Sequence, residues 1–539
     1  SETTVTNLGS IAVNNSTRAS LNKFSVVVSD TSATAAELNA VQALTSVAAD
    51  FTNVAAIEAS SASAITTLYS ASTATTSGLG AETISVNDST IVSTTLNTID
   101  GYTTAAVTTT ATTISGPIAD TETALGSAGI VHGAAIAVTV TDTTVDAANI
   151  NDVAQVLTTG VVAVSSSATS LSGTAAEVNT AITAARTSDG TNALTPTITG
   201  ILALNATLDD PDTTGTQTTA VADFHAIVDI VGYTGKVTAT ITEGGATALA
   251  HATTGLGNTG TGHSLTVTVT DAAATATELT TISAATILPV TLDSDGAGCD
   301  AITSIESSTY ATALALFQEG TTGFTGLSAS PVIVSDSITV AQANALDALT
   351  TGAITATISD TSLDTLLGSS ITGVDSIGAA DGSRTAGTYT ITTSDYSAQG
   401  TGTNATFSIV VDSTGAATVT ITNPGTGYAL NNTVTVTDAK LGGGGGADLT
   451  FDVASISAAL GTSNSWITTV ANQSSVDTVI SAANLATLDG LTDQVVTVTA
   501  PTVDGTLAEI TTVFNSNSPA DLANRTISGL ETKAVTVTD

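Results

Sequence analysis

Hydrophobic and polar positions alternate along this chain in short bursts, and the bursts recur. VVVSD (26–30), ISVND (84–88), VTVTD (138–142 and 267–271), VIVSD (332–336) and a final VTVTD (535–539) each alternate β-branched and polar residues and close on aspartate. That is the pattern of a half-buried strand running into a turn. After most of them the apolar spacing lengthens to that of a helix: Leu38, Val41 and Leu44; Ile91, Leu96 and Ile99; Ile150, Val153 and Leu157; Leu279 and Ile282; Ala343, Leu346 and Leu349. The predicted unit is strand, turn, helix.

A second unit follows the first, in AIEASSASAITTLY (56–69), TISGPIADTETAL (113–125) and SLSGTAAEVNTAI (170–182). Asp30 to Ile57, Asp88 to Ile114 and Asp142 to Leu171 are 27, 26 and 29 residues apart, so spacing persists while sequence drifts. Stacked repeats produce this, because each must set its apolar residues in register with its neighbours. The fold class expected is an α/β repeat solenoid of strand–turn–helix coils with a small all-β inserted module. Coils occupy 1–186, 265–384 and 456–539, and 187–264 is an irregular repeat with an elaborated loop. In 385–455 the connections STG, NPGTG and LNN join strands with no helix pattern between them, which marks the all-β insertion. The last phrase ends on the strand that elsewhere precedes a helix, so the array is expected to continue beyond Asp539.

Glutamate enters this pattern at a fixed place. Thr34–Glu37, Thr174–Glu177, Thr275–Glu278 and Thr506–Glu509, with the related Thr339–Gln342, have the spacing of a capping box at a helix start. A carboxylate recurring at one structural offset is architectural. The aspartates closing the strands suit two compatible roles, turning the chain locally or forming a ladder of carboxylates that Ca²⁺ bridges. The candidate calcium ligands are Asp30, Asp88, Asp142, Asp271 and Asp336, with Asp293, Asp295 and Asp448 from two loops.

Composition narrows the function classes. Of 539 residues, 42% are hydrophobic but only 3% aromatic, which suits thin layers of small side chains better than one bulky core. Eight bases against 47 acids give a charge of −39, which argues against nucleic acid or an anionic membrane as partner and makes cations matter. No apolar run approaches the ~18 residues of a membrane span. Cys299, the single cysteine, reads as a buried small hydrophobe.

Other motifs fail on inspection. DSDGAG (293–298) opens like an EF-hand loop but has Ala297 at position five and Ser304 at position twelve. GGGGAD (443–448) is a single turn of a calcium-binding glycine-rich repeat. GLGNTG (255–260) is followed by a strand where a dinucleotide fingerprint needs a helix. His132, His225, His251 and His263 show no metal-ligand spacing, and His225 sits in an apolar helix pattern. Asp209, Asp210 and Asp212 read as a solvated loop, and Asn15, Asn205 and Asn404 as chance Asn-x-Ser/Thr triplets. No catalytic constellation stands out, so no enzyme activity is expected.

GLGAETISVNDSTIVSTTLNTIDGYTTAAV (78–107), ISGPIADTETAL (114–125), LSGTAAEVNTAI (171–182) and ISGLETKAVTVTD (527–539) resemble repeats of very long, acidic cell-surface proteins of marine cyanobacteria, among them giant ones associated with the envelope and motility. NPGTGYALNNTVTVTDAKLGGGGGADLTFDV resembles a β-module of marine phage and cyanobacterial surface proteins. The resemblance implies a secreted structural or adhesive protein at the cell surface, with calcium as a candidate cofactor; no catalytic residues carry over. Two readings follow. One is a lattice, sheath or filament built by self-association. The other is an adhesin or fibre whose 385–455 module recognises a surface polysaccharide, with Tyr389, Tyr396 and Tyr428 close together in sequence there.

Overall fold

Many of the helices are preceded by two short strands where the sequence pattern suggests one. The computed structural model describes residues 4, 23, 25–157, 159–210, 218–293, 302–368, 370–400, 402–473, 477–517 and 526–538; Asn15, Asp212, Asp295, Cys299 and Asp539 lie outside them. It is a mixed α/β protein with many parallel strands and 14 α-helices among the described residues, and no sheet there closes into a barrel. Two compact units divide the chain, one of residues 1–244, 248–267 and 284–288, the other of 245–247, 268–283 and 289–539.

In the first unit, Thr83–Val86 runs into a turn at Asp88, Thr90–Val92 follows, and Ser93–Asp100 is the helix. Val107–Thr109, Thr113–Gly116 and Ile118–Gly126 repeat the order. Equivalent strands of successive repeats pair in parallel, the helix supplying the crossover that parallel neighbours need. Three five-stranded parallel sheets result. In one of them Ile91, Ile114, Val138, Val162 and Ile198 stand side by side. All five are buried, and each contributes about 1.5–3 kcal/mol by leaving water. Ile91 is therefore a strand residue, against the helical spacing assigned to it. The helix starts at Ser93 and buries Ser93, Leu96 and Ile99, because Thr-Ile-Val favours the extended backbone that β-branched side chains prefer. Tyr69 and Tyr102 add a stacked pair, with centroids 4.6 Å apart and planes at 2°.

The second unit continues the same grammar and interrupts it once. Ala273–Thr275, Ser304–Ser308, Val332–Ile338, Ile354–Ile358 and Ser465–Ile467 form one parallel sheet. Its last step pairs Ala356 with Trp466, so the ladder passes over the intervening chain. Between those strands, Ile371–Asp375, Gly387–Ile391, Tyr396–Ala398, Thr403–Val411, Ala417–Thr426, Thr433–Val436 and Leu449–Ile456 pair only antiparallel, in two sheets. Phe407, Ile409, Tyr428, Leu449 and Phe451 belong to a core formed there, where Phe407 meets Phe451 edge to face at 5.0 Å. Antiparallel pairing begins already at Ile371, where no turn pair announces it. Entry and exit of this stretch adjoin: Leu460 N donates to Leu366 O (3.1 Å) and Ser457 N to Ser370 O (2.8 Å).

Candidate functional site

A helix opens with amides that have no carbonyl one turn back, and an array of helices has to satisfy them repeatedly. At Ala175–Ala184, side chains meet three of them. Glu177 Oε2 accepts from Thr174 N (2.9 Å), Thr174 Oγ1 accepts from Glu177 N (3.3 Å), and Asp210 Oδ1, 35 residues further on, accepts from Ala175 N (2.9 Å). Val340–Asp347 repeats the scheme with Thr339, Gln342 and Asp360, whose Oδ2 lies 2.7 Å from Val340 N. In Ala35–Gln42 and Ala276–Ala285 the outside group is a hydroxyl, Ser60 Oγ (2.8 Å) and Ser308 Oγ (3.0 Å). With Thr506–Glu509, all five capping boxes expected from the sequence form.

The strand-closing aspartates take over where no box exists. Asp88 Oδ2 accepts from Ala62 N (2.6 Å), Asp142 Oδ2 from Ile118 N (2.7 Å), Asp271 Oδ2 from Ala246 N (2.5 Å) and Asp336 Oδ1 from Tyr310 N (2.7 Å). Each recipient is the first residue of a helix, and each bond reaches back 24 to 26 residues. Glu243 does the same for Val221 (2.7 Å). A carboxylate at a helix N-terminus also meets the positive end of the macrodipole. These side chains thus join one repeat to the helix of the repeat before it. Replacing Asp142 by alanine is expected to cost about 1 kcal/mol, the usual value of a lost cap. Asparagine should recover part of it, read as midpoint shifts in urea.

The other candidate calcium ligands are scattered. Asp30 is half-buried after Val28, and Asp293 follows Val290–Leu292 with its N–H on Val269 O (2.9 Å). Asp448 Oδ1 accepts from Asp438 N (2.9 Å), and Asp295 lies outside the described residues. Among those residues no group of three or more His, Cys, Asp or Glu side chains is arranged to hold a metal ion. The glycine run 442–446 packs against 381–389: a Cβ on Gly444 would fall 2.1 Å from Ser383 O. Asp210 is more than loop solvation, because it also accepts from Thr219 Oγ1 (2.7 Å).

Asparagines that sequence reasoning passed over form a second set of links between repeats. Asn39 Nδ2 donates to Ala64 O (2.8 Å), Asn97 to Asp120 O (2.8 Å) and Asn151 to Glu177 O (2.9 Å). Each Asn is the fifth residue of its helix and each acceptor the third of the next. The available signal was an Asn directly after the first large apolar residue of the helix, as in Leu38-Asn39, Leu96-Asn97 and Ile150-Asn151. Asn344, also a fifth residue, donates to Ala459 O (2.8 Å), 115 residues on and past the antiparallel strands.

No family model, curated protein or solved structure matches this chain. Its function is therefore argued from its own geometry.

Three further groups bear on that argument. His225 is buried with Nδ1 2.6 Å from Gly255 O and Nε2 3.1 Å from Asp229, and His263 is buried between Val237 N (3.0 Å) and Thr259 O (3.1 Å). Both rings are buried with both nitrogens on protein partners, of which Asp229 is exposed. Tyr428 is 2% exposed, with its hydroxyl 2.6 Å from that of Tyr396, so it belongs to the core and offers no platform for a sugar ring. Among the described residues no helix is long and apolar enough to cross a membrane.

Charge remains crowded where repeats meet. Burial, then the neighbouring Glu177, Asp210 and Asp146, push the Asp209 carboxyl up. Burial, then Asp477 and Glu509, do the same for Asp504. A carboxyl raised on folding binds its proton more tightly in the folded chain. Its contribution to stability therefore grows as pH falls through the raised value toward 3.8 and is unfavourable at neutral pH. Asp504→Asn is expected to match or exceed the wild-type melting temperature at pH 7 and to show a weaker gain between pH 7 and pH 4. A steeper pH dependence in the variant would contradict this assignment.

Proposed function

We propose that this chain is a structural, extracellular protein without enzymatic activity, a strand–helix solenoid carrying an all-β insertion, which self-associates into a lattice, sheath or filament. Calcium or another divalent cation offsets its charge of −39. The observation that carries the reading is the reach of one repeat into the next. Helix starts at Ala62, Ile118, Ala175, Val221, Tyr310 and Val340 are each completed by a carboxylate of the following repeat. Those helix starts are thus finished by the next repeat, which couples neighbours along the array.

The ladder of the second unit, which passes from Ile354–Ile358 to Ser465–Ile467, supports 371–456 as an insertion. Sedimentation velocity tests the proposal. Large species in millimolar calcium that dissociate in a chelator are expected, and a single monomer boundary in both conditions at high protein concentration would overturn it.

A further inference from the structure

Neighbouring helices of the first unit are not all joined alike. Asparagine links tie Ala35–Gln42 to Ala62–Thr75 and Ser93–Asp100 to Ile118–Gly126. Between Ala62–Thr75 and Ser93–Asp100 that link is missing, because the fifth residue is Thr66, whose Oγ1 turns back to Ala62 O of its own helix (2.8 Å). A cleft of about 760 Å³ opens at this joint, with Ser63, Thr66 and Ser70 on one side and Thr90, Val92 and Thr95 on the other. Crossing the joint are the Asp88 cap on Ala62 N (2.6 Å) and the stack of Tyr69 on Tyr102.

The stack sets the face of one phenol against the face of another. Its planes lie 2° from parallel with centroids 4.6 Å apart, whereas the other three ring contacts among the described residues are edge-on. Parallel stacking is an ordinary way for two rings to pack, but for two phenols it also prepares a reaction. A tyrosine that has lost one electron and its phenolic proton is a phenoxyl radical, whose unpaired spin lies in π orbitals above and below the ring, partly on the carbons ortho to the oxygen. At this stack the second ring already occupies that space. Tyr102 is half-buried in the turn after its helix and Tyr69 is 8% exposed, so Tyr102 is the ring that meets an oxidant.

We infer that Tyr69 and Tyr102 form an oxidative cross-linking site, at which a peroxide joins the two rings as dityrosine and closes this joint covalently. One electron and the phenolic proton leave Tyr102, and its ortho carbon bonds to the ortho carbon of Tyr69. A second electron then leaves with the proton of that Tyr69 carbon, while the ortho proton of Tyr102 moves to its own oxygen, so both rings are aromatic again. The O–O bond of the peroxide takes up both electrons and breaks; with hydrogen peroxide the two protons released complete two waters. The product is a staple between adjacent repeats, 33 residues apart in sequence, which goes beyond the structural role proposed above.

Irradiating the dilute full chain with ruthenium tris(bipyridine) and persulfate, a peroxide that ends as sulfate, tests this site. After proteolysis, tandem mass spectrometry should find the Tyr69 and Tyr102 peptides joined within one chain and lighter by two hydrogens. Tyr69→Phe and Tyr102→Phe each keep a ring in place and remove the phenol, and each should lose that product. Tyr310→Phe, in the other unit, should retain it. In urea the stack is gone, and the links should spread over all seven tyrosines. The site is refuted if the folded chain yields no Tyr69–Tyr102 link, if other tyrosine pairs link as readily, if either stack variant retains the product, or if the yield is the same in urea. Because the link lies within one chain, its failure is distinguishable from a failure to assemble, which sedimentation reads separately.

Discussion

Arg384→Met is expected to destabilise the antiparallel strands by about 2–4 kcal/mol. Arg384 is one of only eight basic residues, yet it is 6% exposed. Its Nη1 donates to Ala379 O (2.9 Å) and Gly415 O (3.2 Å), and its Nε to Ala447 O (3.2 Å). One guanidinium therefore ties together three loops that share no ladder bond. Methionine fills the space but leaves three carbonyls without their charged donor, and a buried acceptor left unmet costs more than the bond contributes. Lysine keeps the charge without the planar fork and should fall between. Lys440, whose ion pair with Asp395 sits on the surface, provides the control, since Lys440→Met should leave the midpoint almost unchanged. The readout is urea denaturation followed by near-UV dichroism of the tyrosines and phenylalanines. A midpoint equal to that of Lys440→Met would show that the three carbonyl bonds contribute nothing.

Excising 369–458 and joining Gly368 to Ala459 through a short glycine linker is expected to leave the parallel ladder standing. The ends already touch, because Leu460 N reaches Leu366 O (3.1 Å) and the backbone of Ala459 lies against Gly368. Trp466 reports the outcome, being the only tryptophan, fully buried, and hydrogen-bonded through Nε1 to Gly461 O (2.8 Å). Its emission should stay blue-shifted in the shortened chain, with one cooperative transition. An emission maximum like that of free indole would show that the parallel strands depend on the antiparallel ones, and the insertion reading would fall.

What could be read from the sequence divides by the distance over which each device acts. Thr174 and Glu177 announce a helix start because both partners sit within one turn, and that chemistry is the same in any fold. Asp142 did not announce its role, because its partner amide is 24 residues back, and no local pattern distinguishes a turn aspartate from one reaching into the neighbouring repeat. Asn39, Asn97 and Asn151 were hidden for the same reason. Ile91 shows a second cause. A three-residue strand that runs straight into a helix buries a single position, too little for a period of two to show against one of 3.6. Tyr428 shows a third. Its nearness in sequence to Tyr389 and Tyr396 suggested a shared platform, but it follows the strand Ala417–Thr426 in a segment with no alternation to read, and packing against Tyr396 turns its ring inward.

The central claim is that repeats completed by their successors assemble into an extended structure. Electron microscopy of the purified chain in calcium, and again after adding a chelator, tests it most directly. The account predicts ordered lattices or filaments in calcium that are lost on chelation; dispersed single particles under both conditions would contradict it.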